Sequence, residues 1–107
     1  MERHPELAAS AAALLEELGV DNVEVRSGDG TRGASDRAPF DAISVTAAAQ
    51  GSPPEPLLEQ LEPGGWLVCP VETGEDEWLM RFRGGAERRG ERVAPVRFVP
   101  LVRSVPE

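Results

Sequence analysis

The sequence predicts an α/β fold: a mainly parallel sheet closed by an antiparallel hairpin at its C-terminal end. Three observations carry this. Phe40–Thr46, Glu55–Leu61 and Trp66–Val71 read as strand, helix and strand, the order of a βαβ unit. A further short strand, Asn22–Ser27, precedes them. After them, Glu77–Arg83 and Arg92–Val99 are alternating runs separated by the glycine-containing stretch Gly84–Gly90, the pattern of a hairpin.

Each element follows from its residues. From Pro5 to Leu18, apolar residues at Leu7, Ala8, Ala11, Leu14, Leu15 and Leu18 have the three-and-four spacing of one helix face. Pro5 suits a first turn, and Gly19 is placed to stop the helix. Asn22–Ser27 alternates Val23 and Val25 with polar neighbours, as a half-buried strand does. Gly28-Asp29-Gly30 is then a turn signal, and a polar loop runs to Pro39. Ala47–Pro54 is a loop rich in Ala, Ser and Pro. Leu57, Leu58 and Leu61 share a face of the short helix, which Pro63-Gly64-Gly65 ends.

The connection from Ser27 to Phe40 is unusual. Parallel neighbours need a crossover of about a dozen residues, usually a helix. This loop has that length but no helical face, so the strands at Val23–Val25 and Ala42–Val45 are not expected to pair. Something should lie between them.

Composition narrows the function classes. At 107 residues the chain fits one domain with a modest core, and no linker divides it. No apolar stretch is long enough to span a bilayer, and no secretory signal opens the chain. Nineteen acidic residues against eleven arginines, with no lysine, give a net charge of −8. Phosphate binding depends on cationic neutralisation, so neither nucleic acid nor an anionic membrane is an expected partner. The lysine-free acidity fits either a GC-rich genome or salt adaptation. Cys69 is the single cysteine, which leaves no internal disulfide and no cysteine-based zinc cage, and the expected compartment is the cytoplasm. No metal site and no catalytic triad are expected. His4 reads as a solvated first-turn residue, Cys69 as core, Trp66 and Trp78 as covers of core or sheet edge, and Arg88-Arg89 as a solvated turn.

Gly28-Asp29-Gly30, Phe40-Asp41-Ala42-Ile43, Thr46-Ala47-Ala48-Ala49 and Leu57-Leu58-Glu59-Gln60-Leu61, in this order, together resemble the protein-L-isoaspartate O-methyltransferase family. Glu2-Arg3 and Arg97-Phe98-Val99-Pro100-Leu101 extend the resemblance over nearly the whole chain. It implies a partial doubly wound, Rossmann-like methyltransferase sheet, with residues 1–107 as the C-terminal portion of a class I S-adenosylmethionine-dependent domain. The family's first two strands and glycine-rich loop would precede Met1. The loop from Gly28 to Pro39 would then bridge three inter-strand steps, roughly 14 Å, which its length allows.

The resemblance also implies an activity: methyl transfer from S-adenosyl-L-methionine to the carboxylate of an isoaspartyl residue in an aged protein or peptide. The ester then cyclises to a succinimide that can reopen as aspartate. No general base is required, because the carboxylate is already ionised near neutral pH, and orientation is the main task. Glu2 matches the acid that accepts from both ribose hydroxyls; the alternative is an acid at the start of the Pro5 helix. Asp29 and Gly30 match the adenine pocket, against an ordinary Asp-Gly turn. Thr46 and Ala47 match the substrate-side loop, although Gln50-Gly51-Ser52 departs from the proline common there. Without the family's N-terminal half the isolated chain is expected to be inactive and to fold poorly. A non-catalytic acidic interaction remnant is one alternative. Another is half of a split methyltransferase, whose partner is a complementing N-terminal chain.

Overall fold

Pro5–Glu17 forms the expected helix, α1. Its C-terminal end is a Schellman motif: Gly19 at φ 73° donates to Glu16 O, and Val20 donates to Leu15 O at 2.9 Å. Only Ala8 of its apolar face is buried, while Leu7, Leu14 and Leu18 are 57%, 55% and 67% exposed. The helix therefore has its predicted periodicity, and among the described residues most of its stripe stays uncovered. The structure is a computed structural model that describes residues 1–85 and 89–102, so Arg88 of the expected solvated turn lies outside the described residues. The chain divides into two compact units, Met1–Gly30 with Val102, and Thr31–Leu101.

In the first unit the expected strand at Asn22–Ser27 does not form a ladder. Among the described residues its one pairing is a parallel bridge between Ser27 and Glu2. Val23 is 53% exposed. The alternating pattern is present, but among the described residues no neighbouring strand offers its N–H and C=O groups, and extended backbone becomes a strand only when paired.

The second unit is a five-stranded mixed sheet: β1 (Phe40–Ser44), β2 (Ala49–Gln50), β3 (Leu61–Thr73), β4 (Asp76–Arg83) and β5 (Gly90–Pro95). Its order is β1-β3-β4-β5, with β2 pairing β3 beyond the end of the β1 ladder. β1 and β2 run parallel to β3, whereas β3, β4 and β5 form an antiparallel meander. Helix α2 (Glu55–Glu59) lies in the β1–β3 crossover and is shorter than the expected Glu55–Leu61. No ladder joins β1 to the Val23–Val25 segment.

The core sits on one face of this sheet. Alternate residues Leu67, Cys69 and Val71 of β3 are completely buried and meet Ala49, Leu57, Leu58, Leu61 and Phe82. The opposite face carries Trp66, whose ring lies under the guanidinium groups of Arg81 and Arg83 at 4.9 and 4.7 Å. Arg92 stacks on Trp78 at 4.9 Å in the same way.

Other boundaries also differ from expectation, and β1 ends at Ser44 instead of Thr46. β3 begins at Leu61, so Pro63-Gly64-Gly65 lies inside a strand instead of before it. The ladder pairs Phe40 with Leu61 and Ala42 with Trp66, so the extra residues bulge out of β3. Glycine is required in that bulge. A β-carbon on Gly65 would stand 2.8 Å from Asp41 O and 2.9 Å from Glu62 O. β5 is Gly90–Pro95 instead of Arg92–Val99, because the chain turns after Pro95 and Phe98 N–H donates to Glu77 Oε1 at 2.8 Å. Among the described residues no helix is long and apolar enough to cross a membrane.

Candidate functional site

Glu2 is held by backbone before its side chain is considered. Its N–H donates to Arg26 O at 2.8 Å, and its C=O accepts from Gly28 N–H at 2.9 Å. The one-residue bridge thus sets the acid beside the turn Gly28-Asp29-Gly30. Its side chain is half-buried, and Oε1 accepts the backbone N–H of His4 at 3.0 Å, ahead of Pro5. Asp29 and Gly30 are likewise half-buried. The Met1 side chain covers the turn: a β-carbon on Gly28 or Gly30 would meet it at 3.6 and 3.5 Å, an ordinary contact. Of the sequence-predicted residues, Glu2, Asp29 and Gly30 therefore come together in the first unit.

Thr46 and Ala47 lie in the second unit, where the chain leaves β1. Val45 N–H donates to Val68 O at 2.8 Å, which carries the strand's direction to the start of the loop. Thr46 is exposed and Ala47 half-buried. The loop is then fixed by a second isolated parallel bridge, Ala48 to Pro100. Ala48 N–H donates to Val99 O at 2.7 Å and Leu101 N–H to Ala48 O at 2.8 Å. In the sequence, Arg97–Val99 reads as the end of the hairpin run Arg92–Val99 and Arg97–Leu101 as part of the family resemblance, and neither reading foresees this return. The available signal was the interruption of alternation by Pro95 and Pro100.

The remaining candidates have structural places. Burial pushes the Cys69 thiol up from 9.0 to about 11, with the Ala49 backbone N–H pulling weakly the other way. Such a thiol stays protonated and is no nucleophile. His4 is exposed, and Arg3 donates to its Nε2 at 3.1 Å. No group of three or more potential metal ligands exists among the described residues. A cleft of about 490 Å³ opens at the β3–β4 turn, lined by Glu72, Glu77, Trp78 and Arg97 among others, and includes none of the predicted site residues.

The sequence model of the protein-L-isoaspartate(D-aspartate) O-methyltransferase family matches residues 1–105. The chain belongs to this family. It is 56% identical over 97 residues to the protein-L-isoaspartate O-methyltransferase of Roseiflexus castenholzii, covering 90% of this chain and 44% of that protein. With the enzyme of that name from Gloeobacter violaceus it shares 48% identity over 107 residues, covering 96% of this chain and 51% of the relative. The chain thus spans about half the length of the curated relatives it matches. A solved protein-L-isoaspartate O-methyltransferase superposes with a TM-score of 0.81 at 26% identity, over 90% of this chain and 31% of that one. A Plasmodium falciparum structure, described as a putative enzyme of this kind in complex with S-adenosyl-L-homocysteine, also gives a TM-score of 0.81. At 24% identity, over 96% of this chain and 51% of that one, this second likeness is one of fold. Both agree with a Rossmann-like mixed α/β sheet.

Proposed function

We propose that this chain supplies the ribose side, the adenine side and the acceptor-side loop of an S-adenosylmethionine-dependent protein-L-isoaspartate O-methyltransferase, and that it does not transfer methyl groups unaided. Residues 1–107 are, on this reading, the C-terminal portion of the methyltransferase domain. The observation that carries it is the Glu2–Ser27 bridge, which sets a half-buried carboxylate beside Gly28-Asp29-Gly30 in a chain of this family.

The donor set fits the nucleoside part of the cofactor. Ribose hydroxyls and an adenine amino group are donors, and Glu2 and Asp29 are carboxylates that accept. The His4 N–H on Oε1 orients the Glu2 carboxylate and leaves its other oxygen for a hydroxyl. When bound, the cofactor supplies an electrophilic methyl group. The acceptor is an ionised isoaspartyl carboxylate, so no residue here has to remove a proton. Thr46 and Ala47, small and placed at the end of β1, leave room for an acceptor backbone. Nothing in the 107 residues resembles a glycine-rich loop for the methionine end, which is why unaided transfer is not expected.

The test has two parts. Titration of S-adenosylhomocysteine into the isotopically labelled chain is expected to shift the Glu2, Asp29 and Gly30 amides saturably. Methyl incorporation into an isoaspartyl peptide is expected only when the N-terminal half of the Roseiflexus relative is added. Absence of any saturable shift would overturn the cofactor assignment, and methylation by the chain alone would overturn its dependence on further chain. The exposed Leu7, Leu14 and Leu18 favour a second reading, half of a split methyltransferase, in which that stripe meets a separate N-terminal chain.

A further inference from the structure

Gln60, which follows α2, is buried although its residue type is ordinarily exposed. Its carboxamide is used at both ends. Oε1 accepts Ala34 N–H at 2.9 Å, and Nε2 donates to Arg32 O at 2.8 Å. Exchanging the two atoms would set donor against donor and oxygen against oxygen, so the orientation is fixed. Its backbone C=O accepts Phe40 N–H at 2.8 Å. One residue therefore closes the Arg32–Phe40 loop at both ends. Gly33 belongs to the same device. It stands between the two clamped residues at φ 65°, and a β-carbon there would overlap the Gln60 carboxamide oxygen.

The clamped loop continues directly from a single 3-10 turn, Gly30–Arg32, whose first residue completes Gly28-Asp29-Gly30. Within the loop a second 3-10 turn spans Ser35–Arg37, where Arg37 N–H donates to Ala34 O and Ala38 N–H to Ser35 O. These bonds are local to that turn, whereas the Gln60 bonds tie the loop to the rest of its unit. We infer that Gln60 is a positioning residue for the adenine end of the cofactor: by holding Arg32 and Ala34 it fixes the exit of the 3-10 turn, and through the chain the backbone of Asp29 and Gly30. This rests on the reading of Asp29 and Gly30 as adenine contacts. Both ends of the Gln60 carboxamide are taken up by the loop, so its effect on the ligand runs through Asp29 and Gly30.

The experiment is a nuclear magnetic resonance titration of the full chain with S-adenosylhomocysteine and with adenosine, alongside amide hydrogen exchange. Gln60→Glu keeps the acceptor for Ala34 but turns an oxygen toward Arg32 O. It is expected to weaken both ligands about tenfold, equivalent to about 1.4 kcal/mol, and to speed exchange at Ala34. Gln60→Met retains the buried volume while removing both polar contacts, and gives the same answer should the glutamate variant fail to fold. Leu58→Ala is the control. It removes core volume from the same helix, leaves the clamp intact, and is expected to lower stability with the affinity and Ala34 protection of the unaltered chain. Equal affinity in the Gln60 variants and the unaltered chain would overturn the inference alone. An equal weakening by Leu58→Ala would reduce Gln60 to a general structural role and also overturn it. If the unaltered chain shows no saturable shift, the adenine reading falls, and this inference falls with it.

Discussion

Raising the pH from 9 to 11 is expected to destabilise the Thr31–Leu101 unit through one atom. The Cys69 thiol is fully buried, donates to Pro70 O at 3.3 Å, and is pushed up to about 11 from 9.0 by its burial. Between those values the unfolded chain loses the thiol proton while the folded chain keeps it. The unfolded state then binds fewer protons, so stability falls as pH rises. The contribution is fully present below pH 9 and is lost by about pH 11. A shift of two units at about 1.36 kcal/mol each gives a loss of about 2–3 kcal/mol. The sequence isolates this effect: it has no lysine and no tyrosine, and its arginines titrate above the window. Urea unfolding followed by Trp66 and Trp78 fluorescence, at half-unit steps from pH 8 to 11, measures the slope. Cys69→Ala is expected to start less stable at pH 8 and to show no slope. A flat profile in the unaltered chain, or the same slope in Cys69→Ala, would refute the reasoning.

Leu67→Ala, at a completely buried position, is expected to cost about 2–5 kcal/mol by denaturant unfolding, and a cost below 1 kcal/mol would place Leu67 outside the core. Gly65→Ala forces a β-carbon against Asp41 O and is expected to cost about 1–3 kcal/mol while hydrogen exchange at Ala42 and Ile43 accelerates. Replacing Leu7, Leu14 and Leu18 together by Gln is expected to change the stability of the isolated chain by no more than about 0.5 kcal/mol per site, because these side chains are already exposed and the two types have similar helix propensity. The same triple variant should lose association with the N-terminal half of a relative, as read by analytical ultracentrifugation. Gly28 N–H, in the Glu2 bridge, is expected to exchange faster than Leu101 N–H, in the Ala48 bridge, because Ala48 is buried and Glu2 is not, and comparable protection at the two would refute this.

The parts of this chain that were legible in the sequence are those whose partners lie nearby. Helix α1 could be read to within a residue because its stripe, Pro5 and Gly19 are local signals. The strands of the second unit follow from apolar runs that bury one another. At Asn22–Ser27 alternation reports a preference for extended backbone, but a strand also needs a neighbour, and among the described residues the segment pairs with Glu2 alone. Pro63-Gly64-Gly65 reads as a stop because proline and glycine usually punctuate, whereas here glycine permits a bulge packed against Asp41. Gln60 was passed over because the leucines around it explained the segment; nothing in Leu57–Leu61 says that a carboxamide will turn back to Arg32 and Ala34.

The candidate site residues share a mode of support that explains why sequence pattern alone could not place them. Glu2 and Thr46-Ala47 belong to different units, yet each is set by an isolated parallel bridge to a residue distant along the chain, Ser27 in one case and Pro100 in the other. A bridge of two hydrogen bonds contributes about 1 kcal/mol per bond, while ordering each residue of backbone costs about 1–2 kcal/mol. Such a bridge persists only where burial nearby supplies the difference. Ala48 has that support, being 2% exposed, next to Ala49 of the core and joined to Leu101, which packs on the same cluster. Glu2 has much less: within its unit Ala8 is the one buried apolar residue described, and Met1, Val20 and Val23 remain exposed. The Thr46-Ala47 loop is therefore built into a closed core, whereas Glu2 is held by backbone bonds beside uncovered apolar surface. On the proposed function, cofactor and any chain that covers that surface should favour the same ordered state of the first unit, so each is expected to strengthen the binding of the other.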